Sequence, residues 1–288
     1  DIQIANEIVG PKKLARLRAL CERATVSCAV DDPCQVPALA EVGRSLGQEI
    51  ALFVEIDTGL HRCGLSDDSA IVAMARLISA TDGVRWRGIL THAGHAYAAG
   101  TPDEVARIGQ AEGEQMVRIA EMLRGHGLSC PEVSVGSTPT VAFSAAIEGV
   151  TEIRPGNYIF NDMMQVRLGS AGVEDCALSV LATVISRPSP DRAVLDVGSK
   201  ALTLDRGAHG NILLSGFGYL PEHDCWLTRL SEEHGVIEGD VTTLQIGQRV
   251  RIVPNHACAV VNGFDEAWLV DGDEVIERLS IDARGKMA

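Results

Sequence analysis

The chain has 288 residues, of which 46% are apolar and 22% charged; this is the composition of a folded globular protein and excludes disordered, collagen-like and low-complexity chains. Its 25 lysines and arginines are outnumbered by 39 aspartates and glutamates, and the net charge of −14 argues against binding to a nucleic-acid backbone. No apolar run approaches the roughly 18–20 residues that a membrane-spanning helix needs, and we expect no membrane attachment.

Residues 1–170 alternate between short β-like runs and longer helical patterns. The patterns predict strands at residues 1–5, 25–30, 49–56, 86–91 and 132–135, and a last, kinked strand at 151–154 and 158–160. They predict helices at residues 12–24, 35–46, 67–81, 102–126 and 140–147. Strands that alternate with helices of this length imply right-handed βαβ units and a parallel sheet.

The six predicted strands fall short of the eight that a (β/α)8 barrel needs. If the fold is a barrel, the other two strands belong upstream of Asp1, and we interpret the chain as truncated at its N-terminus. A doubly wound open sheet also fits the number of strands, although no Gly-x-Gly-x-x-Gly turn follows the first one.

From about residue 177 the helical pattern nearly disappears. Short β-like runs follow at residues 178–185, 193–197, 241–244, 249–252, 259–261, 267–270 and 274–276. Turn signals separate them at Pro188-Ser189-Pro190, Gly210-Asn211 and Asp271-Gly272-Asp273. We therefore expect an α/β domain over residues 1–170 and a small antiparallel β domain over residues 171–288.

The eight cysteines are scattered, and no two of them form a Cys-x-x-Cys pair. In a chain of this length they indicate reduced core thiols rather than a disulfide framework. The chain also shows no signal-peptide pattern. Both observations favour the cytoplasm.

Two strand-following loops carry side chains suited to anions or to acid–base chemistry. The first contains Arg62, which could bind an anionic oxygen or form a salt bridge in a surface loop. The second contains His92, His95 and Tyr97, which suit proton transfer or a phosphate contact, and equally suit a structured loop of hydrogen-bonded histidines. In a parallel barrel, the active site lies at these strand ends.

The next two strand ends carry glycine and hydroxyl groups that could surround a phosphate. They read Gly-Ser-Thr-Pro-Thr and Arg-Pro-Gly-Asn-Tyr, and they include Ser137, Thr138, Arg154, Gly156, Asn157 and Tyr158. Free N–H groups at a helix N-terminus favour a phosphate, and barrels often bind phosphate at their last two strands. A capped helix start would use the same residue types.

The predicted β domain contains Pro-Asn-His-Ala-Cys, in which His256 and Cys258 are two residues apart. On a strand, such residues face the same side and could bind one cation. Zinc accepts both ligand types, and two protein ligands would leave positions open for water and substrate. A buried histidine beside a core thiol is the alternative interpretation.

Taken in order, these five segments resemble the fold-type III pyridoxal phosphate enzymes, and most closely the D-serine dehydratase and D-threonine aldolase family, a distant relative of alanine racemase. They read Asp-Thr-Gly-x-x-Arg-x-Gly, His-Ala-Gly-His-x-Tyr, Gly-Ser-Thr-Pro-Thr, Arg-Pro-Gly-x-Tyr and Pro-Asn-His-x-Cys. The resemblance covers nearly the whole chain. It implies an α/β protein with a TIM barrel of the alanine racemase N-terminal type, here partial, followed by an antiparallel β domain, usually in a homodimer.

The resemblance also implies roles for individual residues. Arg62 would contact the phenolic oxygen of pyridoxal phosphate, and Arg154 would lie near its ring. The residues around the phosphate would be Ser137, Thr138, Gly156 and Asn157, with Tyr97 and Tyr158 nearby. His256 and Cys258 match the zinc pair of D-serine dehydratases, whereas the aldolase branch more often has His-x-Asp and binds manganese or another hard divalent ion.

One feature of the chain departs from the family pattern. The Schiff-base lysine of the family lies near the end of the first barrel strand, in an Arg-Pro-His-x-Lys-type segment that this chain lacks. The lysines present are Lys12, Lys13, Lys200 and Lys286, and none has that context. We therefore expect the chain as given to be inactive.

The resemblance implies a metal-dependent lyase that acts on β-hydroxy D-amino acids. We expect a D-serine dehydratase, which forms pyruvate and ammonia, because Cys258 matches that branch. The alternative is a D-threonine aldolase, which forms glycine and acetaldehyde, with His95 as the candidate base. Three further alternatives are open. An amino-acid racemase would need no metal, and a non-catalytic pyridoxal phosphate-binding protein would lack the second domain. A metal-dependent barrel hydrolase would need more histidine and aspartate ligands on its strands.

Overall fold

The computed structural model describes residues 1–207 and 212–286. The chain forms two compact units. The first unit comprises Asp1–Ala96 and Asp103–Pro155, and the second comprises Tyr97–Pro102 and Gly156–Ala288. Each unit has its own hydrophobic core.

Strands and helices alternate in the first half of the chain, as predicted. The strands are β1 (Ile2–Glu7), β2 (Val26–Val30), β3 (Ile50–Ile56), β4 (Val84–Thr91), β5 (Glu132–Val135) and β6 (Glu152–Ile153). The helices are α1 (Pro11–Cys21), α2 (Val36–Leu46), α3 (Asp68–Ser79), α4 (Pro102–Gly125) and α5 (Val141–Ser144). Helix starts follow local chemistry, since α3 begins where Oδ1 of Asp67 accepts a hydrogen bond from the amide of Ala70 at 2.8 Å.

The six strands lie side by side in chain order, and each neighbouring pair is parallel. A doubly wound sheet reverses its strand order at a switch point, and this sheet does not. The order is therefore that of a (β/α)8 barrel, and the predicted partial barrel is confirmed. Because all strands run the same way, their carboxyl ends lie along one edge of the sheet.

The two faces of the sheet pack differently. All of β3 is buried, and successive side chains point to opposite faces. One face of β3 joins the large core beneath the helices through Ile50, Leu52, Val54 and Ile56. On the other face Phe53 packs with Ala29 and Leu90. This burial on both sides explains why every residue of the strand except Glu55 is apolar.

The second unit is mostly antiparallel β structure. Its strands are β7 (Val180–Ser189), β8 (Arg192–Leu195), β9 (Tyr219–Leu220), β10 (Cys225–Leu230), β11 (Gly235–Glu238), β12 (Arg249–Ile252), β13 (Glu266–Asp271) and β14 (Glu274–Ser280). Its short helices are α6 (Met163–Leu168), α7 (Ser199–Leu202) and α8 (Ala257–Val261). No helix in the described part of the chain is both long and apolar enough to cross a bilayer.

Six of these strands form one sheet in the order β12-β7-β8-β11-β10-β9. A backbone pair between Tyr219 and Val253, with N···O distances of 2.8 and 3.0 Å, joins the two ends of the sheet. The predicted turn at Pro188-Ser189-Pro190 connects β7 to β8. The predicted turn at Asp271-Gly272-Asp273 connects β13 to β14, and these two strands form a separate hairpin. The predicted turn at Gly210-Asn211 lies outside the described residues.

The predicted strand segments at residues 158–160 and 241–244 are wrong for local reasons. Residues 158–160 lie in and just after a 3₁₀ turn, which is closed by hydrogen bonds from the amides of Phe160 and Asn161 to the carbonyl of Asn157. Residues 241–244 form a turn, because Oδ1 of Asp240 accepts a hydrogen bond from the amide of Thr242 at 3.0 Å. A side-chain oxygen that binds the next backbone amides favours a turn over a strand.

Candidate active site

The loop after β3 carries Arg62, the residue predicted to bind the phenolic oxygen of the cofactor. Asp57 shapes this loop, since its Oδ1 accepts hydrogen bonds from the amides of Gly59 at 2.9 Å and His61 at 3.0 Å. The Arg62 guanidinium lies 3.6 Å from Oε1 of the buried Glu55. Arg62 is therefore anchored at the carboxyl edge of the sheet while half of its side chain stays exposed.

Glu55 belongs to a group of acidic side chains at the same edge. Burial and a hydrogen bond with Glu7 raise the pKa of Glu55 to about 7, against the opposing charge of Arg62. Glu7, Asp31 and Cys63 each bring one possible metal-ligand atom within 4.8 Å of the others, and they form the one such trio that the described residues contain. Arg62 is thus the cationic side chain of an acidic edge.

His95, the predicted base, packs on the loop after β3. A Cβ atom on Gly59 would stand 3.2 Å from Cε1 of His95, and Gly59 has a φ of +129° that other residues rarely adopt. Nδ1 of His95 is buried and has no hydrogen-bond partner among the described residues. Burial lowers the pKa of His95, although the charge of Asp57 opposes this effect. The ring is therefore mainly neutral at neutral pH and able to accept a proton.

The Gly-Ser-Thr-Pro-Thr turn after β5 is held from below by Glu112 of α4. This fully buried carboxylate accepts hydrogen bonds from the amide of Gly136 and from Oγ1 of Thr140, both at 3.0 Å. Burial raises the pKa of Glu112. Ser137 and Thr138 are themselves buried at the same turn. Glu112 thus fixes the backbone that carries two of the predicted phosphate-binding residues.

Arg154, predicted near the cofactor ring, lies at the ends of β4 and β5. Its guanidinium donates hydrogen bonds to Oγ of Ser134 at 2.8 Å and to the carbonyl oxygen of Thr91. Burial lowers the pKa of Arg154, and nearby carboxylates oppose this effect. Nδ1 of His92 lies 3.0 Å from the carbonyl oxygen of Gly136, which joins the same two strand ends.

In the second unit, the buried Asp162 connects two predicted site segments. Its Oδ2 accepts hydrogen bonds from Nδ2 of Asn157 at 2.7 Å and from the amide of Ala257 at 2.8 Å. Its Oδ1 caps α6 by accepting from the amide of Gln165 at 3.1 Å. The Gln165 side chain in turn donates to the hydroxyl of Tyr97 at 3.1 Å. Burial raises the pKa of Tyr97 to about 12, so the phenol keeps its proton.

The predicted phosphate-binding residues are divided between the units. Ser137 and Thr138 belong to the first unit, and the second unit contains Tyr97, Gly156, Asn157 and Tyr158. Gly156 and Tyr158 are exposed, and 62% of the Tyr158 surface is accessible. Oδ1 of Asn157 is buried without a hydrogen-bond partner in the described part of the chain. Nδ1 of His95 and Oδ1 of Asn157 are thus two of the buried side-chain atoms whose hydrogen-bonding capacity a polar ligand could use.

His256 and Cys258 lie at the start of α8 rather than on a strand, so both the predicted strand at 259–261 and the same-face argument are wrong. The short apolar run around them suits either structure by periodicity, and the amide of Val260 closes a helical turn on the carbonyl of His256 at 3.3 Å. The two side chains nevertheless meet. Hydrogen bonding to Cys258 raises the pKa of His256 to about 9, against the effect of burial, and a hydrogen bond with Asp205 adds to the increase.

The donor atoms of this pair fit a zinc-type ion. Nδ1 of His256 lies 2.9 Å from Oδ2 of Asp205, which leaves Nε2 as the ligand atom. An imidazole nitrogen and a thiolate sulfur are ligands that Zn²⁺ accepts, and a site with two protein ligands keeps positions for other molecules.

The sequence contexts of the four lysines differ from that of the family's cofactor-binding lysine, which lies in an Arg-Pro-His-x-Lys-type segment. Lys12 and Lys13 begin α1, and Lys286 follows the last strand. Lys200 of α7 is exposed and donates to Glu233 at 2.7 Å. None of the four therefore occupies the position expected of the family's cofactor-binding lysine.

Sequence reasoning missed three carboxylates that support the site, namely Glu112, Asp162 and Asp205. Asp162 has a recognisable signal, because an aspartate three residues before Gln165 matches a helix N-cap. Glu112 is hidden in a long helix rich in charged residues. Asp205 has no local signal, since its partner is 51 residues away.

Comparison with known proteins extends over most of the chain. The family described as "Alanine racemase, N-terminal domain" matches residues 4–163, and the one described as "Putative serine dehydratase domain" matches residues 177–270. A D-threo-3-hydroxyaspartate dehydratase of a Delftia species is 36% identical, over 93% of this chain and 75% of its own length.

Two solved structures extend the likeness to the fold. The crystal structure of D-threonine aldolase from Filomicrobium marinum superposes with a TM-score of 0.88 at 30% identity and covers 99% of this chain and 77% of the aldolase. A cysteine-to-alanine mutant of D-threo-3-hydroxyaspartate dehydratase, in its metal-free form, gives 0.85 at 34% identity and covers 97% and 79%. The protein therefore belongs to the fold-type III pyridoxal phosphate family of lyases acting on D-amino acids, alongside the hydroxyaspartate and D-serine dehydratases and D-threonine aldolase.

Proposed function

We propose that this protein is a pyridoxal phosphate- and metal-dependent dehydratase of β-hydroxy D-amino acids, with the conversion of D-serine to pyruvate and ammonia as its reference reaction. The observation that carries the proposal is the meeting of His256 and Cys258, with the second ring nitrogen of His256 bound to Asp205. A Lewis acid assists departure of a hydroxyl group. Racemisation breaks a C–H bond and has no such need.

The cofactor would be held by the residues that the family resemblance assigns to it. Arg62 would bind its phenolic oxygen, Arg154 would lie near its ring, and Ser137 and Thr138 would contact its phosphate. Gly156 and Asn157 would also lie around the phosphate, with Tyr97 and Tyr158 nearby. The position of Arg62 at the carboxyl edge of the sheet, with half of its side chain exposed, supports this assignment. When bound, pyridoxal phosphate supplies an electron sink for the bonds at Cα.

The metal would be held by His256 and Cys258. When bound, a divalent ion such as Zn²⁺ supplies Lewis acidity toward a hydroxyl oxygen. The thiol of Cys258 favours a borderline ion such as zinc over a hard one such as manganese. The metal-free cysteine mutant of the related dehydratase agrees with a cysteine ligand in that protein.

The chain's own residues have separate tasks in this proposal. The permanent charge of Arg62, near the acidic Glu55, would orient the anionic edge of the cofactor. The protonated hydroxyl of Tyr97 would donate a hydrogen bond without adding charge. His95, neutral at neutral pH, would accept or return a proton at its ring nitrogen.

An aldolase is the second candidate, and His95 is the observation that favours it. Cleavage of D-threonine to glycine and acetaldehyde starts with removal of the hydroxyl proton, which needs a neutral base. Burial keeps His95 mainly in that form. The 30% identity to the Filomicrobium aldolase supports the same candidate.

The test uses the gene product expressed from its own start codon, incubated with D-serine, D-threo-3-hydroxyaspartate or D-threonine. We expect pyruvate from D-serine or oxaloacetate from hydroxyaspartate, each with one ammonia. Glycine and acetaldehyde from D-threonine would instead establish the aldolase. The 288-residue chain alone is the comparison, and we expect no turnover from it because none of its four lysines has the sequence context of the family's Schiff-base lysine.

A chelator provides the second arm of the test. Removing the metal should abolish dehydration, and added Zn²⁺ should restore it. The variant Cys258→Ala should need more zinc for the same activity, whereas Cys34→Ala, at another exposed cysteine, should behave as the parent. Turnover that survives both the chelator and Cys258→Ala would rule out the proposed metal chemistry.

A further inference from the structure

Asp205 contacts His256 although 51 residues separate them in the sequence. Oδ2 of Asp205 lies 2.9 Å from Nδ1 of His256. An imidazole that donates its Nδ1–H to a carboxylate keeps the lone pair of Nε2 for a metal. The contact therefore selects which ring nitrogen carries the proton and which can be a ligand.

The backbone around Asp205 is fixed by groups other than its carboxylate. The fully buried Asn255 donates from Nδ2 to the carbonyl oxygens of Asp205 at 2.8 Å and of Gly216 at 2.7 Å. The amide of Asp205 donates to Oγ1 of Thr203 at 3.2 Å. Because these bonds hold the loop, the carboxylate itself is left to act on His256.

The ion pairing of Asp205 supports the same action on the His256 ring. In the part of the chain that the structure describes, the ion-pair partner of the Asp205 carboxylate is His256, not a lysine or arginine. Its negative charge is therefore directed at the imidazole. A carboxylate on the outer nitrogen of a metal-binding histidine orients the ring and makes it a stronger electron donor.

We propose that Asp205 is a positioning residue of the metal site, which holds the His256 ring in the tautomer and orientation that present Nε2, beside Cys258, to a divalent cation. The inference rests on the proposed function, since it assumes that His256 and Cys258 bind the metal. Asp205 touches neither metal nor substrate in this arrangement. Its effect passes entirely through the imidazole.

The test measures Zn²⁺ affinity by competition with a chromophoric chelator, in the purified gene product stripped of metal. We expect Asp205→Ala to weaken zinc binding by about 10–100-fold, the range for lost outer-sphere partners of a metal-binding histidine. Asp205→Asn, which can still accept from Nδ1–H but is uncharged, should fall between Asp205→Ala and the parent. Asp240→Asn, at an exposed turn aspartate of the same unit, is the matched control and should bind like the parent.

Spectra with Co²⁺ in place of zinc add a readout independent of activity. In Asp205→Ala the thiolate-to-cobalt band should persist, because Cys258 still binds, while titration to the same intensity needs more cobalt. Unfolding of the metal-free Asp205→Ala variant should match that of Asp240→Asn. A purely structural role would lower metal-free stability instead.

Each outcome bears on the proposal. The proposal is overturned if Asp205→Ala binds zinc within about twofold of the parent. It is also overturned if Asp205→Ala loses as much zinc affinity as His256→Ala, because Asp205 would then be a direct ligand. If Asp205→Ala does not fold, the isosteric Asp205→Asn decides by the same criterion. If the parent itself fails to bind zinc, the proposed metal site is wrong before Asp205 is considered.

Discussion

Nδ2 of Asn157 donates a hydrogen bond of 2.7 Å to Oδ2 of Asp162. The same oxygen accepts the amide of Ala257, which separates His256 from Cys258 in the sequence. One buried carboxylate therefore fixes a proposed phosphate-binding side chain and the proposed metal-binding turn. The two groups would be placed by a shared support within the second unit.

Replacing Asp162 should disturb both segments. The Asp162→Asn side chain has one acceptor oxygen in place of the two oxygens that accept from three donors. At least one buried N–H therefore loses its partner. We expect the free energy of unfolding to fall by about 1–3 kcal/mol, measured by urea denaturation, and zinc affinity to fall with it. Asp175→Asn makes the same change at an exposed aspartate, whose carboxylate accepts from the amide of Gly172, and is the control. Equal stability of the two variants would contradict the supporting role of Asp162.

Gly59→Ala should act on His95. The new Cβ would stand 3.2 Å from Cε1 of the ring at a φ of +129°, so the histidine or the loop must move. We expect kcat of the gene product to fall about tenfold or more, because a small misplacement of a reacting group is costly, and the ring resonances of His95 to shift. Gly10→Ala is the control, since it has a φ of +94° and nothing within 4 Å of the added Cβ. If both variants change kcat equally, displacement of His95 is not the cause.

Glu55 should make stability depend on pH. Its pKa is raised from 4.5 to about 7, so between these values the folded state holds a proton that the unfolded state has released. The free energy of unfolding should therefore fall as the pH rises through this interval, and level off above it. In Glu55→Gln this fall should disappear, and the stability gained over the parent should grow with pH. Glu49→Gln, at the exposed residue before β3, should follow the parent curve; a parallel curve for Glu55→Gln would refute the assignment.

Glu112→Gln should loosen the turn that carries Ser137 and Thr138. The carboxylate accepts from Gly136 and Thr140 through different oxygens, and a glutamine keeps one of the two. We expect the free energy of unfolding to fall by about 1–3 kcal/mol, as for a buried donor left unpaired. Glu121→Gln, on the exposed side of α4, should be neutral. Proteolysis near residue 137 would detect the loosened turn, and an unchanged cleavage pattern would speak against it.

The parallel sheet could be predicted from the sequence because short, mainly apolar runs alternate with helical patterns. Residues 50–56 of β3 are all buried, and Glu55 is the one charged residue among them. In contrast, β10 and β11 were missed. Arg229 interrupts β10, whose residues are mostly half-buried, and neither strand shows a clear alternation.

The candidate site was predicted in so far as its residues follow strands or form short motifs. His256 and Cys258 were found by their spacing, although they stand on a helix start. Their support could not be found in this way, because Asp205 and Asp162 reach them across 51 and 95 residues. Only the folded chain brings such carboxylates to their partners, and no periodicity encodes the contact.

The hairpin β13–β14 has a consequence for how the chain opens. Among the described residues its two strands pair only with each other, and residues on both faces are exposed, including Trp268 at 58% and Leu269 at 46%. A two-stranded hairpin is at best marginally stable in water. Its amide protons should therefore exchange with deuterium through local opening, long before those of β7 and β8, so that this segment melts as a unit of its own.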